Sequence, residues 1–233
     1  MIQIRELFID GGRYSDRKRF NITDRKQPYF SWAAVSDIDG DHQSAYEAGV
    51  FLGKEELWHS GRIESGEQGV RYDGKTLPAG RILTLVLRIR GSRGETSEPF
   101  TASFVCGEAD GWKGSWITSG TENGRAVLYF RRDFRTEKPV AEACLFVSGI
   151  GYHTVTVNGE RPDDAVMDPA FSDYTKSCYY AVLTNKEKDK INPPRILRVC
   201  PSGIVLFRGN LAWSPVRQPE ECTMHNAQCS MLN

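Results

Sequence analysis

Residues 141–180, AEACLFVSGIGYHTVTVNGERPDDAVMDPAFSDYTKSCYY, contain two runs that are typical of β-strands. In the run 153–157, two valines alternate with two threonines, and β-branched residues at every second position predict a half-buried strand. The run 144–148 has the same period, and glycines bend the chain between the two runs. Asn158-Gly159 follows at once and predicts a type I′ turn, because both residues tolerate a positive φ. A loop rich in carboxylates and aromatics comes next.

Short strand patterns recur along the rest of the chain. The longest covers residues 82–90, where leucine or isoleucine stands at every second position. Further strand patterns occupy residues 2–9, 44–52, 100–105 and 126–134. Trp32 is predicted to be a core anchor because an indole buries a large apolar area. Short strands with turn signals between them and no helical period predict β-sandwiches.

The segment SDIDGD at residues 36–41 allows two interpretations. Its D-x-D-x-D spacing matches the start of a calcium loop, but the sixth position is His42 and the twelfth is Ala48, where glycine and glutamate are required. A hairpin turn between two strands is therefore favoured.

Composition excludes several classes of protein. The 233 residues suggest one or two domains, and 30 basic residues balance 30 acidic ones, so no basic stripe indicates nucleic acid. No apolar run has the roughly 20 residues of a membrane span. The N-terminus lacks the features of a cleaved signal, so a cytoplasmic location is expected. The six cysteines are expected to be free thiols.

Several of these motifs occur in an order that resembles one family. The pattern LFVSGIGYHTVTVNG, followed by a loop and DPAFSDYTK, resembles the jelly-roll domain near the N-terminus of bacterial α-L-rhamnosidases. Upstream, the succession of PYFSW and W-x-SGR resembles the fibronectin-III-like domain that precedes this jelly roll. The resemblance runs from about residue 4 to residue 180. It implies an all-β chain with two β-sandwiches in tandem, a fibronectin-III- or immunoglobulin-like domain and an incomplete jelly roll, followed by an irregular C-terminal tail.

The predicted domains are 1–105, the first sandwich, and 106–183, the partial jelly roll. Residues 184–233 are expected to form an atypical tail, disordered or not native to the fold, because the family pattern stops and five of the eleven prolines lie there. Cys222, His225 and Cys229 have a metal-like spacing in this tail. It fits no standard zinc pattern, and chance clustering is favoured.

The resemblance implies a non-catalytic, carbohydrate-binding-like accessory fragment of an α-L-rhamnosidase. In the family, the catalytic carboxylates belong to a helical barrel further along the chain, so no catalytic residue is assigned and no enzyme activity is expected of this chain alone. The expected partners are an L-rhamnose-containing glycan and that barrel. Neither nucleic acid nor membrane is expected as a partner, and no cofactor is expected, since calcium has no supporting motif.

Sugar binding needs aromatic faces for the C–H surface of the ring and carboxylates or amides for its hydroxyls. The candidate residues that combine these groups are Tyr152, Asn158, Asp163, Asp164, Asp173 and Tyr174. The alternative hypothesis is a stand-alone β-sandwich that presents its loops to a protein partner.

Overall fold

The computed structural model describes residues 1–15, 21–107, 115–117, 130–134, 144–162, 164–184, 195–201, 204–207 and 214–215. The chain divides into two compact units, Met1–Asp110 and Gly111–Asn233. Strands with turns and irregular connections between them make up the described residues of both units, which confirms the predicted all-β fold. No helix in this part of the chain is long and apolar enough to cross a membrane.

The first unit is built from strands that pair mainly with antiparallel neighbours. Among its described residues the strands are β1 (Ile2–Ile9), β2 (Gly12–Arg13), β3 (Asn21–Thr23), β4 (Tyr29–Ser36), β5 (Gln43–Leu52), β6 (Glu55–Ile63), β7 (Gly69–Arg71), β8 (Ile82–Gly91) and β9 (Phe100–Cys106). One sheet has the order β2-β1-β4-β7 and the other the order β3-β9-β8-β5-β6.

Aromatic contacts join these two sheets across one core. The rings of Phe30 and Phe104 meet edge to face with centroids 5.6 Å apart, and Trp32 meets Tyr46 at 5.1 Å. In each pair, one ring comes from each sheet. Edge-to-face pairs add to the stabilisation that burial of the rings provides, so the unit is a β-sandwich.

Strand β8 follows the alternation that the sequence predicts. Leu83, Leu85, Leu87 and Ile89 are fully buried, whereas the residues between them are half-buried or exposed. β8 pairs with β5 on one side and β9 on the other, so one face of a central strand points into the core.

Trp32 is confirmed as a core anchor, with 4% of its surface exposed. Its indole Nε1 donates a hydrogen bond of 2.7 Å to Oε1 of Gln43, which is also buried. The Gln43 amide donates in turn to the carbonyl oxygens of Ser65 and Glu67, at 3.1 and 2.7 Å. These bonds satisfy polar groups that burial would otherwise leave unpaired.

The segment 36–41 forms the predicted turn, but the hairpin interpretation is wrong. It connects β4 to β5, and these strands belong to different sheets. Oδ1 of Asp41 accepts a hydrogen bond of 2.8 Å from Oγ of Ser92. Hydrogen bonds from Ser36 and from Ser92 hold the pKa of the Asp41 carboxyl well below its ordinary value. The hydrogen bonds of Asp41 therefore stabilise the segment that connects the two sheets.

The second unit also consists of two sheets. Among its described residues the strands are β10 (Ser115–Ile117), β11 (Phe130–Phe134), β12 (Cys144–Ile150), β13 (His153–Val157), β14 (Tyr180–Thr184), β15 (Arg195–Pro201), β16 (Ile204–Phe207) and β17 (Ser214–Pro215). The sheet orders are β10-β16-β12-β14 and β13-β15-β11-β17. Buried apolar side chains come from both sheets, among them Phe146 and Val147 in one and Phe130 and Val155 in the other.

The predicted turn after β13 is confirmed. Asn158 has a φ of 54° and Gly159 a φ of 90°, which are the signs that a type I′ turn requires. The flanking residues Val157 and Glu160 exchange two backbone hydrogen bonds, of 2.8 and 3.1 Å. The turn therefore reverses the chain at the end of β13, as the dipeptide indicates.

Parts of the segment beyond residue 183 lie within the sheets. β15 pairs with β11 and β13, and β16 pairs with β10 and β12. The structure thus includes strands from the segment that the sequence separates as a tail. The predicted domain boundaries stay predictions.

Two cysteines are free thiols, as expected: Cys106 is buried and Cys178 is half-buried. Burial, together with the negative charges of Asp24 and Asp10, raises the pKa of the Cys106 thiol to about 11. This thiol is therefore protonated at neutral pH and packs as a small apolar side chain.

Replacing Leu85 by alanine tests the core of the first unit. The side chain is fully buried, so Leu85→Ala is expected to lower the free energy of unfolding by about 2–5 kcal/mol through lost burial and the cavity left behind. Urea unfolding measures this change. Val86→Ala, at the next position on the half-buried face, is the matched control and is expected to cost less. Equal losses for the two variants would contradict the assignment of faces.

Candidate functional site

The loop that follows β13 returns to the turn between β12 and β13. The backbone N–H of His153 donates to the carbonyl oxygen of Asp168 at 2.8 Å, and the N–H of Gly151 donates to the Tyr174 hydroxyl at 3.2 Å. The imidazole of His153 is buried, and its Nε2 lies 4.0 Å from a carboxylate oxygen of Asp168. Both ends of the 168–174 segment are thereby fixed against the same turn.

A second set of hydrogen bonds shapes the segment 173–177. The carbonyl oxygen of Asp173 accepts the N–H groups of Lys176 and Ser177, both at 2.9 Å. Oδ1 of the same residue accepts the N–H and the hydroxyl of Thr175, at 3.1 and 2.6 Å. Nζ of Lys176 lies 3.2 Å from Oδ2. Asp173 therefore forms an Asx turn, in which a side-chain oxygen takes the place of a backbone acceptor.

These contacts also determine the ionisation of Asp173. The hydrogen bond from the Thr175 hydroxyl, the interaction with Lys176 and the Thr175 N–H together lower the pKa of the carboxyl. Each donor stabilises the charged form more than the protonated one. Asp173 is therefore ionised at neutral pH and acts as a hydrogen-bond acceptor, which does not suit it to act as a general acid.

Two aromatic rings stand next to one another in this loop. The ring of Phe171 is 81% exposed and meets Tyr174 edge to face, with centroids 5.5 Å apart and an interplanar angle of 68°. Tyr174 is half-buried. Tyr152, 44% exposed, follows directly on Gly151, whose N–H binds the Tyr174 hydroxyl. The surface of the loop can thus offer aromatic faces to a ligand.

Of the predicted site residues, Asp173 and Tyr174 are neighbours in the chain, and the Tyr174 hydroxyl accepts the N–H of Gly151, the residue before Tyr152. Asn158 lies at the other end of β13, about 20 Å from Tyr152 along an extended strand. Asp164 is exposed, and Asp163 lies outside the described residues. A binding role for all six residues stays a prediction.

The sequence did not single out the most exposed apolar side chains of the loop. Val166 is 80% exposed, Met167 66% and Phe171 81%. Each appears in the sequence as an ordinary apolar residue, and such residues are usually buried. No period of 2 or 3.6 runs through this loop, so the sequence contains no signal that separates them from core residues.

The described residues contain no group of three histidine, cysteine or acidic side chains placed to hold a metal ion. Cys222, His225 and Cys229 lie outside them. Whether the protein needs a cofactor stays a prediction, as does its cellular location.

Replacing Thr175 by valine tests the cause of the lowered pKa of Asp173. The variant removes a hydroxyl donor, so the pKa of Asp173 is expected to rise toward its ordinary value. Carboxyl carbon shifts followed by NMR through a pH titration measure it, with Thr154→Val on β13 as the control. Because the folded-state pKa is lowered, the bonds stabilise the fold above the ordinary pKa of aspartate, and this stabilisation disappears as the pH falls through the lowered value. An unchanged pKa in Thr175→Val would contradict this account.

Family models match both units of the chain. Residues 11–109 match the Rha78A-like N-terminal immunoglobulin domain, and residues 138–191 match the α-L-rhamnosidase N-terminal domain. The two matches follow one another in the order that the sequence motifs indicate. Together they cover about two thirds of the chain.

The curated proteins that this chain resembles are named α-L-rhamnosidases. An α-L-rhamnosidase of Formosa agariphila is 28% identical, with the match covering 66% of this chain and 20% of that protein. An α-L-rhamnosidase of Alteromonas sp. (strain LOR) is 29% identical, covering 64% of this chain and 18% of that protein. The chain thus spans about a fifth of the length of these relatives.

Solved structures share the fold. The α-L-rhamnosidase of Aspergillus terreus superposes with a TM-score of 0.74 at 19% identity, over 93% of this chain and 29% of that one. The enzyme from Dictyoglumus thermophilum superposes with a TM-score of 0.66 at 24% identity, over 88% of this chain and 25% of that one. The two sandwiches, in this order and with these family matches, are the N-terminal domains of the α-L-rhamnosidase family.

Proposed function

We propose that this chain is a non-catalytic N-terminal accessory region of an α-L-rhamnosidase. The observation that carries the proposal is that both domains match N-terminal domains of that family while the chain spans about a fifth of the relatives' length. In this proposal, the carboxylates that cleave the glycosidic bond belong to the part of the relatives that the chain does not match. The function of the two sandwiches is then to support that part and to help hold the glycan.

We further propose that the second unit binds carbohydrate at the loop that returns to the β12–β13 turn. The exposed faces of Tyr152 and the neighbouring aromatic pair support this proposal, because sugar C–H groups pack on aromatic rings. Asp164 is exposed on the same loop and can accept hydrogen bonds from sugar hydroxyl groups. The proposed ligand is an L-rhamnose-containing glycan, since the relatives are named for rhamnoside cleavage. The proposal invokes no cofactor.

A protein-interaction surface is the second candidate function. Val166 and Met167 favour it, because both are apolar, adjacent in the loop and 80% and 66% exposed. Flexible methionine and clustered apolar side chains are typical of protein contact surfaces. In that case the chain is a stand-alone β-sandwich module that presents this loop to a protein partner.

A sugar titration separates the two candidates. With methyl α-L-rhamnoside, the ¹⁵N-labelled chain is expected to show amide shifts confined to residues 151–176 and a dissociation constant in the millimolar range, which corresponds to about 4 kcal/mol. Tyr174→Ala is expected to weaken binding, because it removes the ring and its hydrogen bond to Gly151. Methyl glucoside is the control sugar. The absence of shifts, or shifts spread over the first unit, would favour the protein-interaction function.

An activity assay tests the non-catalytic part of the proposal. The chain is expected to release no aryl group from an aryl α-L-rhamnoside above the rate in buffer, because hydrolysis requires a positioned pair of carboxylates, one of them a proton donor. A complete α-L-rhamnosidase at the same concentration is the positive control. Turnover by this chain that disappears in Asp164→Asn would contradict the proposal.

A further inference from the structure

We propose that Phe171 supplies the ring on which the sugar stacks, and that Asp173 is a positioning residue that fixes this ring through the 173–177 turn and Tyr174. The inference rests on the proposed carbohydrate-binding function and names the residues that carry it out. Phe171 is not among the residues that the sequence indicated for this site.

The environment of Phe171 suits a ligand with an apolar face of about one ring. The side chain is 81% exposed, so almost all of its surface gains from being covered. Its contact with Tyr174 is made edge to face at 68°, an arrangement in which the two ring faces are not stacked on each other. On the chain beyond it stand Asp173, Thr175 and Lys176, which are all exposed and polar. An exposed phenyl ring close in sequence to hydrogen-bonding side chains suits a sugar, which carries both C–H faces and hydroxyls.

Tyr174 holds the Phe171 ring in place. Tyr174 is half-buried, and its hydroxyl accepts the N–H of Gly151 at 3.2 Å. Because its hydroxyl is hydrogen-bonded, the Tyr174 ring does not move freely. Its edge-to-face contact therefore restrains the orientation of the Phe171 ring. A side chain that is restrained before binding loses less conformational entropy when the ligand binds, so the restraint on Phe171 favours binding.

The contacts of Asp173 identify it as a turn-forming residue. Oδ1 accepts two hydrogen bonds from Thr175, and Oδ2 lies 3.2 Å from Nζ of Lys176. Both carboxylate oxygens are thus engaged within the turn, whereas a bidentate bond to a sugar diol needs both of them. Asp173 lies two residues after Phe171, at the start of the 173–177 turn. In this proposal it affects ligand binding indirectly, by fixing where the Phe171 ring lies.

The experiment compares four variants of the 233-residue chain by NMR titration with methyl α-L-rhamnoside. Phe171→Ala is expected to weaken binding about five- to tenfold, the range of one aromatic contact. Asp173→Ala is expected to weaken binding because the turn loses its acceptor. Asp173→Asn is expected to bind with the affinity of the wild-type chain, since the amide oxygen still accepts the hydrogen bonds from Thr175. Tyr179→Ala, which removes another exposed aromatic ring, is the matched control.

Amide spectra of each variant report whether its fold is retained. Equal affinity of Phe171→Ala and the unchanged chain overturns the stacking role. Loss of binding in Asp173→Asn equal to that in Asp173→Ala overturns the positioning role, because it shows that the carboxylate itself contacts the sugar. If the unchanged chain binds no sugar, the carbohydrate-binding function fails and this inference fails with it, whereas variant results alone contradict only the inference.

Discussion

The second unit depends on a connection of only two residues, through which the chain passes from one sheet to the other. β12 ends at Ile150 and β13 begins at His153, and the two strands lie in different sheets. Gly151 makes this possible with a φ of 95°, which residues with a Cβ rarely adopt. Gly149 is constrained by space, because a Cβ there would lie 2.8 Å from Nδ1 of the buried His153. The glycines of GIG are thus required by the backbone conformation and by close packing.

This corner also determines where the candidate site lies. Tyr152 is one of the two residues that span the sheets, and the loop after β13 returns to it through the bonds to Gly151 and His153. The segments around residues 152 and 174 therefore lie at the same end of the unit, although about 20 residues separate them in sequence. A sandwich provides rigid strands, and its connecting loops, held by a few hydrogen bonds, carry the groups that face solvent.

The sequence predicted those features that depend on local geometry. The alternation of residues in β8 and β13 identified strands and their buried faces, and Asn158-Gly159 identified a turn, because both follow from backbone preferences over a few residues. The hairpin at 36–41 was predicted wrongly, because a period of 2 says which face is buried and nothing about which sheet a strand joins. Exposure of Phe171 could not be predicted either, since it depends on where the whole loop lies. Motifs matched to a family supplied the order of domains, which no local pattern contains.

The acidic residues of the loop show why composition is a poor guide to its chemistry. In sequence, Asp164, Asp168 and Asp173 are equivalent carboxylates. In the structure, Asp168 lies beside the buried imidazole of His153. The carboxylate of Asp173 accepts hydrogen bonds from the hydroxyl and N–H of Thr175 and pairs with Lys176. A carboxylate that is already engaged in this way stabilises the loop, and a ligand that binds it must first break those bonds. The phenyl ring of Phe171 has no hydrogen bond for a ligand to break, and for that reason this exposed ring is the stronger candidate for ligand contact.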